Sequence, residues 1–179
     1  MSSKKLRRAV FAGSWYPSSA AECKKEIEEF LAEREKMDFP AGKRVGGIVP
    51  HAGWFFSGSI ACNVISCLRS DDPPDVFVVF GMHLHPDSPC MMMAEGAWET
   101  PFGEICVHEQ LAGELTKQFS FNLESPDNFT QDNTIELQLP FIKYFFNIRF
   151  RTWGLNGFAC YICQPLETFL AHFFRQDCN

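Results

Sequence analysis

Three histidines follow two short apolar segments, at the points where those segments end. His51 comes after the apolar run 45–49, and His83 and His85 come after the run 76–80, VFVVF. In an open parallel α/β sheet, ligands bind beyond the carboxyl ends of the strands. Neutral imidazole is the commonest protein ligand for transition metals. The spacing therefore allows two histidine sites to meet at one sheet edge and hold a metal ion.

A structural role is the alternative for each of these histidines. A histidine in a turn rich in proline and glycine can simply bond the backbone of its own loop, and Pro50 and Gly53 flank His51 in this way. Spacing alone leaves the two interpretations evenly balanced for the pair of sites. The sequence has no Walker lysine, no GxGxxG pattern and no GxSxG elbow, so a nucleotide site or a serine hydrolase site is not indicated.

Glu136 is a candidate for a third, oxygen-donating group. It lies in a helix-like segment that follows a polar loop at 124–132. Two histidines and one carboxylate on one side of a metal ion leave open positions, an arrangement that suits Fe(II) and oxygen chemistry. Without a metal, the same groups could act as general acid and base. Glu136 is therefore predicted to be a catalytic group or a close neighbour of the metal.

An aromatic triplet, Trp54, Phe55 and Phe56, follows His51 within a few residues. If these rings are exposed, they favour a binding site for a peptide or an anionic group that involves no chemistry. If they are buried, they are part of the core. Because large apolar side chains are usually buried, we expect at least two of the three inside.

The elements that must position these residues follow the order helix, strand, helix, strand. The first helix is predicted over 20–36, because Ser19 and Glu22 form a capping box ahead of an amphipathic pattern. Strands are predicted at 45–49 and at 76–80. The second of these is apolar throughout, which is typical of a parallel strand covered on both faces.

A second helix is predicted between those two strands, over 58–68. Two strands joined by a helix predict a right-handed βαβ unit. Two consecutive prolines within 71–75 predict a turn, because proline cannot continue a helix. The inward face of this second helix is predicted to carry Ile60, Val64, Cys67 and Leu68.

The remainder of the chain continues the α/β pattern. Residues 90–108 predict two strands joined by a turn, and 109–119 predict a helix. The pattern at 133–146 predicts a further helix, which Pro140 must kink or restart. Together these elements predict an α/β fold with a central, mostly parallel sheet in three layers.

Composition limits the classes of function. The chain has 179 residues, 46% hydrophobic and 21% charged, with a net charge of −6. This balance indicates a folded globular chain and argues against a nucleic-acid-binding surface, which needs clustered Lys and Arg. The one basic cluster, at 4–8, is interpreted as a solvated terminus.

The same totals suggest a compartment. No apolar run is long enough to span a bilayer, and the N-terminal residues lack the apolar core of a signal peptide. We therefore expect a cytoplasmic protein. Its eight cysteines are expected to be reduced thiols among apolar neighbours.

Five motifs in order resemble one known family, the Memo-like proteins, which are related to the AmmeMemoRadiSam system protein B group. The resemblance covers about residues 7 to 147, and five spaced motifs make it far more specific than any one alone. The motifs are AGSWYPSS (12–19), VPHAGWFFSG (49–58), VFVVFGMHLHP (76–86), WETPFGEI (98–105) and DNTIELQLPF (132–141).

This resemblance implies a fold like that of class III, LigB-type extradiol dioxygenases, which are non-heme Fe(II) enzymes. It implies a pocket associated with iron or copper and with redox activity, on a small substrate that is not settled. Some members are also described as adaptors that bind phosphotyrosine peptides. The first metal-ligand histidine of the family falls on His51. The second falls on His83 or His85, of which His83 lies closer to the strand end.

The chain departs from the family in two ways. Asn133 stands where the family has a histidine, although Glu136 is kept. The family is also much longer, and its second half brings a further metal ligand. We therefore expect a Memo-like domain at 1–148 and a divergent tail at 149–179, whose composition resembles out-of-frame translation or an alternative ending. A truncated, inactive family member is one hypothesis that follows.

Overall fold

The computed structural model describes residues 5–33, 42, 44–70, 74, 76–81, 83, 90–146 and 159–162, the last four by their backbone alone. Over these residues the chain forms seven short strands and five helices. The strands are β1 (Leu6–Arg7), β2 (Phe77–Phe80), β3 (Met91–Met93), β4 (Ala97–Trp98), β5 (Ile105–Cys106), β6 (Asn122–Glu124) and β7 (Ala159–Ile162). The helices are α1 (Ala20–Ala32), α2 (Trp54–Ser66), α3 (Glu109–Gln118), α4 (Asn133–Glu136) and α5 (Leu139–Phe146).

Strand pairing in the described part of the chain is mostly parallel. β1 pairs with β4, β2 with β7 and β3 with β6 in parallel, whereas β4 and β5 pair antiparallel. The backbone of β7 also runs within contact distance of β3, which places two of the parallel pairs side by side. The predicted α/β class is confirmed in this coarse form, with mixed sheets. β7 belongs to the predicted tail, most of which lies outside the described residues.

α1 begins where the capping box predicts. The Ser19 hydroxyl oxygen accepts a hydrogen bond from the Glu22 amide at 3.2 Å and lies 2.6 Å from the Glu22 carboxylate. Cys23 and Ile27 are fully buried on its inner face. The helix ends at Ala32. The predicted positions 34–36 lie outside the described residues.

α2 starts four residues earlier than predicted and turns a different face inward. The predicted inward residue Ile60 is 56% exposed, so that part of the prediction is wrong. The reason is the approach of α1: a Cβ on Gly58 would lie only 2.9 Å from the Phe30 ring. Small residues, rather than the branched ones, therefore form the contact. The buried residues of α2 are Trp54, Ser57, Gly58, Ala61, Cys62 and Ile65.

The strand predicted at 45–49 is wrong. Residues 44–50 form no strand, and Val45 and Ile48 are 92% and 91% exposed. This segment packs against α2 instead, so tightly that a Cβ on Gly47 would overlap the Val64 side chain. The βαβ unit expected around α2 is therefore not formed in the described part of the chain. A parallel connection runs instead from β3 to β6, by way of β4, β5 and α3.

The strand predicted at 76–80 is confirmed, whereas the range 90–108 contains three strands, β3, β4 and β5, where two were predicted. β2 occupies Phe77–Phe80, although Val78 is 40% exposed and the strand is covered less completely than expected. β4 and β5 form the predicted antiparallel pair, joined by a turn in which Gly103 has a φ of +105°. Most of the predicted turn at 71–75 lies outside the described residues.

The predicted helices of the second half are also present. α3 spans Glu109–Gln118 and buries Leu115. The pattern at 133–146 divides into α4 and α5, as the proline predicts. Pro140 lies in the first turn of α5, where its missing N–H has no intrahelical partner to lose.

The N-terminal basic cluster is only partly solvated. Arg7 is 2% exposed, and its guanidinium lies 2.8 Å from the Glu124 carboxylate. The rings of Trp98 and Phe129 lie 3.8 and 3.9 Å from the guanidinium carbon, which gives two cation–π contacts. The solvated interpretation is wrong for Arg7 and holds for the largely exposed side chain of Arg8. Arg7 thus ties β1 to the loop that follows β6.

None of the helices in the described ranges combines the length and the apolar character that crossing a bilayer requires.

Candidate functional site

His51 and His83 lie side by side on the surface of the molecule. His51 stands just before α2, and His83 stands three positions beyond the end of β2. Their ring centroids are 4.8 Å apart and the ring planes are 80° from each other. Both residues are exposed. The structure therefore brings together two of the three predicted histidines, while His85 lies outside the described residues.

One segment holds the loops of both histidines. We call residues 132–138 (DNTIELQ) the supporting segment; it contains α4 and the residues around it. The Asn133 side-chain amide donates to the carbonyl oxygen of His51 at 2.6 Å. The Gln138 side-chain amide donates to the carbonyl oxygen of Pro50 at 3.1 Å. Two adjacent carbonyls of the His51 loop are thus fixed by side chains from the same segment.

Asp132 holds the other histidine. Its Oδ2 atom accepts a hydrogen bond from the backbone amide of His83 at 3.2 Å and lies 3.0 Å from the His83 Nδ1 atom. Its Oδ1 atom accepts from the amide of Thr134 at 2.9 Å and also from the Thr134 hydroxyl. Asp132 is therefore the N-cap of α4 and a partner of the exposed imidazole at the same time.

Gly81 allows β2 to end close to the supporting segment. A Cβ at this position would lie 2.8 Å from the Ile135 Cδ1 atom and would overlap the Thr134 hydroxyl. Only a residue without a side chain fits this approach. The glycine between β2 and His83 is thus part of what brings the histidine within reach of Asp132.

Glu136 points away from the histidines and into the core. It is 1% exposed. Its carboxylate accepts hydrogen bonds from the amides of Val10 and Phe11, at 3.1 and 2.8 Å, and from the Tyr16 hydroxyl at 3.1 Å. These three donors belong to the loop between β1 and α1. The catalytic role expected of Glu136 stays a prediction, and its hydrogen bonds serve to anchor this loop.

The two carboxyl groups of the supporting segment have opposite pKa shifts. Burial alone would raise the pKa of Asp132, but the hydrogen bonds from Thr134 and His83 outweigh it and hold the pKa below its ordinary value. Burial raises the pKa of Glu136 above its ordinary value. The hydrogen bonds from Phe11, Tyr16 and Val10 act in the opposite direction without cancelling this effect.

The aromatic triplet divides between the core and the surface. Trp54 is 2% exposed, stacks on Phe141 with ring centroids 4.1 Å apart, and donates its indole N–H to the carbonyl of Leu137 at 3.0 Å. Phe55 and Phe56 are 91% and 79% exposed. The expectation that at least two of the three rings are buried is therefore wrong. Since α2 begins at Trp54, its first turn buries one ring and turns the next two outward.

Comparison with known proteins identifies the family. The family model described as Memo-like protein matches residues 7–153. The chain belongs to the Memo-like family. The match includes His51, His83 and the whole supporting segment.

Proteins of several archaea resemble this Memo-like chain. A MEMO1 family protein of Pyrobaculum aerophilum is 34% identical over 148 residues, which are 79% of this chain and 53% of that protein. One of Pyrococcus furiosus is 35% identical over 140 residues, 78% of this chain and 47% of that protein. One of Thermoplasma volcanium is 31% identical over 146 residues, 81% of this chain and 53% of that protein. The chain thus spans about half the length of the curated relatives it matches.

The described part of the Memo-like chain offers two donors for a metal ion beside α2, both of them imidazoles. Within the described ranges, no group of three or more His, Cys, Asp and Glu residues is arranged to hold a metal ion. His51 and His83 supply two imidazoles. Asp132 uses its oxygens as hydrogen-bond acceptors, and Glu136 is engaged elsewhere. A third ligand to any ion at this place would have to come from His85 or from beyond the described residues.

The sequence patterns missed three polar residues of this site, namely Asp132, Asn133 and Gln138. Asp directly before a helical pattern is a recognisable N-cap signal, so the local role of Asp132 could have been found. Its second bond, to His83, depends on the tertiary approach of β2 and has no local pattern. For Asn133, the sequence indicates only that the family has a histidine at this position.

Proposed function

We propose that this Memo-like chain binds a first-row transition metal, iron(II) or copper, through His51 and His83. The observation that carries the proposal is the ring separation of 4.8 Å between two exposed imidazoles. Bonds of about 2.0–2.1 Å from an ion to imidazole nitrogen would draw two rings about this close together. Imidazole suits both iron and copper.

The donor set fits one part of a metal site. Two neutral imidazoles are borderline donors that leave an ion several open positions for a third ligand, oxygen or a substrate. The carboxylate of Asp132 beside His83 matches the usual surroundings of a ligand histidine, whose second ring nitrogen bonds an acceptor. The described residues therefore fit two ligands and one supporting group.

The proposed activity is redox chemistry on a small organic substrate, of the dioxygenase-like kind that the family resemblance implies. A bound iron or copper ion would supply the electron transfer. The chain itself would hold the ion with His51 and His83 and orient His83 with Asp132. Phe55 and Phe56 would contact the apolar part of the ligand. Glu136 would anchor the loop at 10–16, and its role as a base stays a prediction.

The proposal extends to the fold and the compartment. A three-layer arrangement of the LigB type agrees with the parallel pairing of β2 with β7 and of β3 with β6. A cytoplasmic location is proposed on sequence grounds, because the cysteines lie mostly among apolar residues, as reduced thiols do. The net charge of −6 argues against nucleic acid as a partner.

A metal-free binding function is the second candidate. It is favoured by the exposure of Phe55 and Phe56, whose rings stand edge to face with centroids 5.1 Å apart. Exposed aromatic pairs are common anchors for peptides, because they supply large contact areas at low entropic cost. In this role the chain would be an adaptor for a peptide or phosphopeptide, and the histidines would not hold a metal.

Metal analysis of protein purified without a tag tests the first function. We expect iron or copper bound to the wild-type chain and lost in the double variant His51→Ala, His83→Ala. His108→Ser is the matched control, because it removes a histidine but keeps an N-cap acceptor for α3. An unchanged metal content in the double variant would contradict the proposal. A single His85→Ala variant tests whether that residue supplies a third ligand.

Peptide capture separates the second function from the first. Binding of a peptide that persists in the double histidine variant, and is lost in Phe55→Ser, Phe56→Ser, would support the adaptor. If the peptide is lost in both variants, the histidines and the aromatic rings serve one site. If neither a metal nor a peptide binds, an inactive family member is the remaining hypothesis.

A further inference from the structure

We propose that Asp132 is a positioning residue that fixes His83 in the tautomer with its proton on Nδ1, and so presents the Nε2 lone pair outward. The proposal deepens the proposed metal site, on which its use for a metal depends. The tautomer itself does not require a metal.

Asp132 and His83 pair a carboxylate with an imidazole. An aspartate carboxyl has an ordinary pKa of about 3.9 and is ionised at neutral pH. An ionised carboxylate can only accept hydrogen bonds. Since Asp132 Oδ2 lies 3.0 Å from His83 Nδ1, that nitrogen must carry the proton. In the neutral imidazole the other ring nitrogen then keeps its lone pair, and this is the form that binds a metal ion or accepts a proton.

The carboxylate of Asp132 is held in one orientation. Oδ1 is held by the amide and the hydroxyl of Thr134 at the start of α4. The carboxyl plane of Asp132 therefore cannot rotate freely, and Asp132 itself is only 8% exposed. A fixed acceptor of this kind defines the direction in which the His83 N–H must point.

Asp132 contacts both the backbone and the ring of His83. The same Oδ2 atom accepts the backbone amide of His83 at 3.2 Å. One oxygen thus restrains both the main chain and the ring of a residue whose side chain is 58% exposed. A surface imidazole would otherwise sample several rotamers and both neutral tautomers. Asp132 removes this freedom before any ligand arrives, and preorganisation of this kind lowers the entropic cost of binding.

His51 lies beside His83, and the supporting segment holds its loop as well. Its ring stands edge to face with that of His83, and its carbonyl is held by Asn133, the next residue after Asp132. Adjacent residues of the supporting segment therefore set the places of both imidazoles. Within the described supporting segment, Asp132 is the residue that contacts a ring nitrogen of this histidine pair, so the tautomer of His83 is its particular contribution.

The experiment is an NMR measurement of the ring nitrogens in chelator-treated, ¹⁵N-labelled protein at neutral pH, with His83 assigned by loss of its signals in His83→Gln. The wild-type chain should show His83 with Nδ1 protonated and Nε2 unprotonated. In Asp132→Asn the side-chain amide can donate to Nδ1, so the proton should move to Nε2. Glu136→Gln, which changes a carboxyl of the same segment, should leave His83 unchanged.

Two further results keep the test decisive. Asp132→Ser keeps an N-cap acceptor for α4 but is too short to reach His83, and it should give a mixture of both tautomers. A wild-type His83 with its proton on Nε2 would overturn the proposal, whatever the variants do. Persistence of the wild-type tautomer in both Asp132→Asn and Asp132→Ser would overturn it as well. Failure to bind metal with the predicted tautomer intact would contradict the metal site and leave this inference standing.

Discussion

Asp132 and Glu136 are two carboxylates four positions apart in the same short segment, and they serve different parts of the molecule. Asp132 reaches an exposed imidazole, whereas Glu136 is buried and bonds two backbone amides and a tyrosine. The pKa of the first is lowered and that of the second is raised. The comparison shows that the donors within reach, rather than residue type or spacing, decide what a carboxylate does.

The backbone explains why the two side chains diverge. Residues four apart in a helix normally share one face. Asp132, however, is the N-cap, with an extended backbone at φ −142° and ψ 131°, so it does not belong to the helical face of Glu136. One side chain turns out toward β2 and His83, and the other turns in toward the loop at 10–16. A helix of one turn thus separates a surface role from a core role.

The largest effect is expected when each carboxylate is removed completely. Glu136→Ala leaves two partly buried amides and one buried hydroxyl without their acceptor, and it should lower the free energy of unfolding by about 3 kcal/mol, since an unsatisfied buried donor costs about 1–3 kcal/mol. Asp132→Ala should cost about 1–2 kcal/mol, as lost N-caps do. Urea unfolding measures both, with the exposed Glu104→Ala as the control. Equal losses at the two positions would remove the distinction.

The next effect concerns the approach of β2 to the supporting segment. Gly81→Ala should lower the free energy of unfolding by about 1–3 kcal/mol, because the new methyl group overlaps Thr134 and Ile135. Gly113→Ala is the matched control: this glycine lies within α3 and has nothing near its Cβ position, so the change should stabilise by about 0.5–1 kcal/mol. A neutral Gly81→Ala would mean that the close approach is not needed.

A smaller effect is expected from the amides that hold the His51 loop. Asn133→Ala and Gln138→Ala each remove one hydrogen bond to a loop carbonyl and should cost about 0.5–1.5 kcal/mol. In Asn133→Ala the His51 ring should also become more mobile, which NMR line shapes can report. If neither variant changes the stability or the ring signals, the supporting segment does not fix this loop.

The smallest effect is a pH dependence that belongs to Glu136. A carboxyl with a raised pKa binds more protons in the folded chain, so its contribution to stability is present below the unfolded pKa of about 4.3 and is lost as pH rises through the folded pKa. Glu136→Gln lacks this titration. The stability advantage of the wild-type chain over Glu136→Gln should therefore shrink as pH rises from about 4. An advantage that grows with pH would contradict the raised pKa.

The sequence predicted much of the fold because several signals were local. The helix start capped by Ser19, the restart at Pro140 and the apolar run of β2 all depend on neighbouring residues, and all are confirmed. The strand at 45–49 failed because a strand needs a neighbour, which no local pattern supplies. The inward face of α2 failed because Gly58 packs against Phe30, a contact between distant residues.

The candidate site divides in the same way. His51 and His83 were expected at the ends of two strands, and their rings do lie together, although the segment before His51 forms no strand. The partner of His83 could not be expected, because Asp132 reaches it only through the approach that Gly81 permits. Glu136 was predicted to be a catalytic group or a neighbour of the metal. No local pattern indicates that its oxygens face the loop at 10–16.

The most direct test of the difference between the two carboxylates is their effect on metal affinity. Anaerobic calorimetric titration with Fe(II) would compare the wild-type chain with Asp132→Asn and Glu136→Gln. If His83 is a ligand, as proposed, the loss of its carboxylate partner in Asp132→Asn should weaken binding by about 10–100-fold. Glu136→Gln should bind as the wild-type chain does. Wild-type affinity in Asp132→Asn, or a larger loss in Glu136→Gln, would contradict the account.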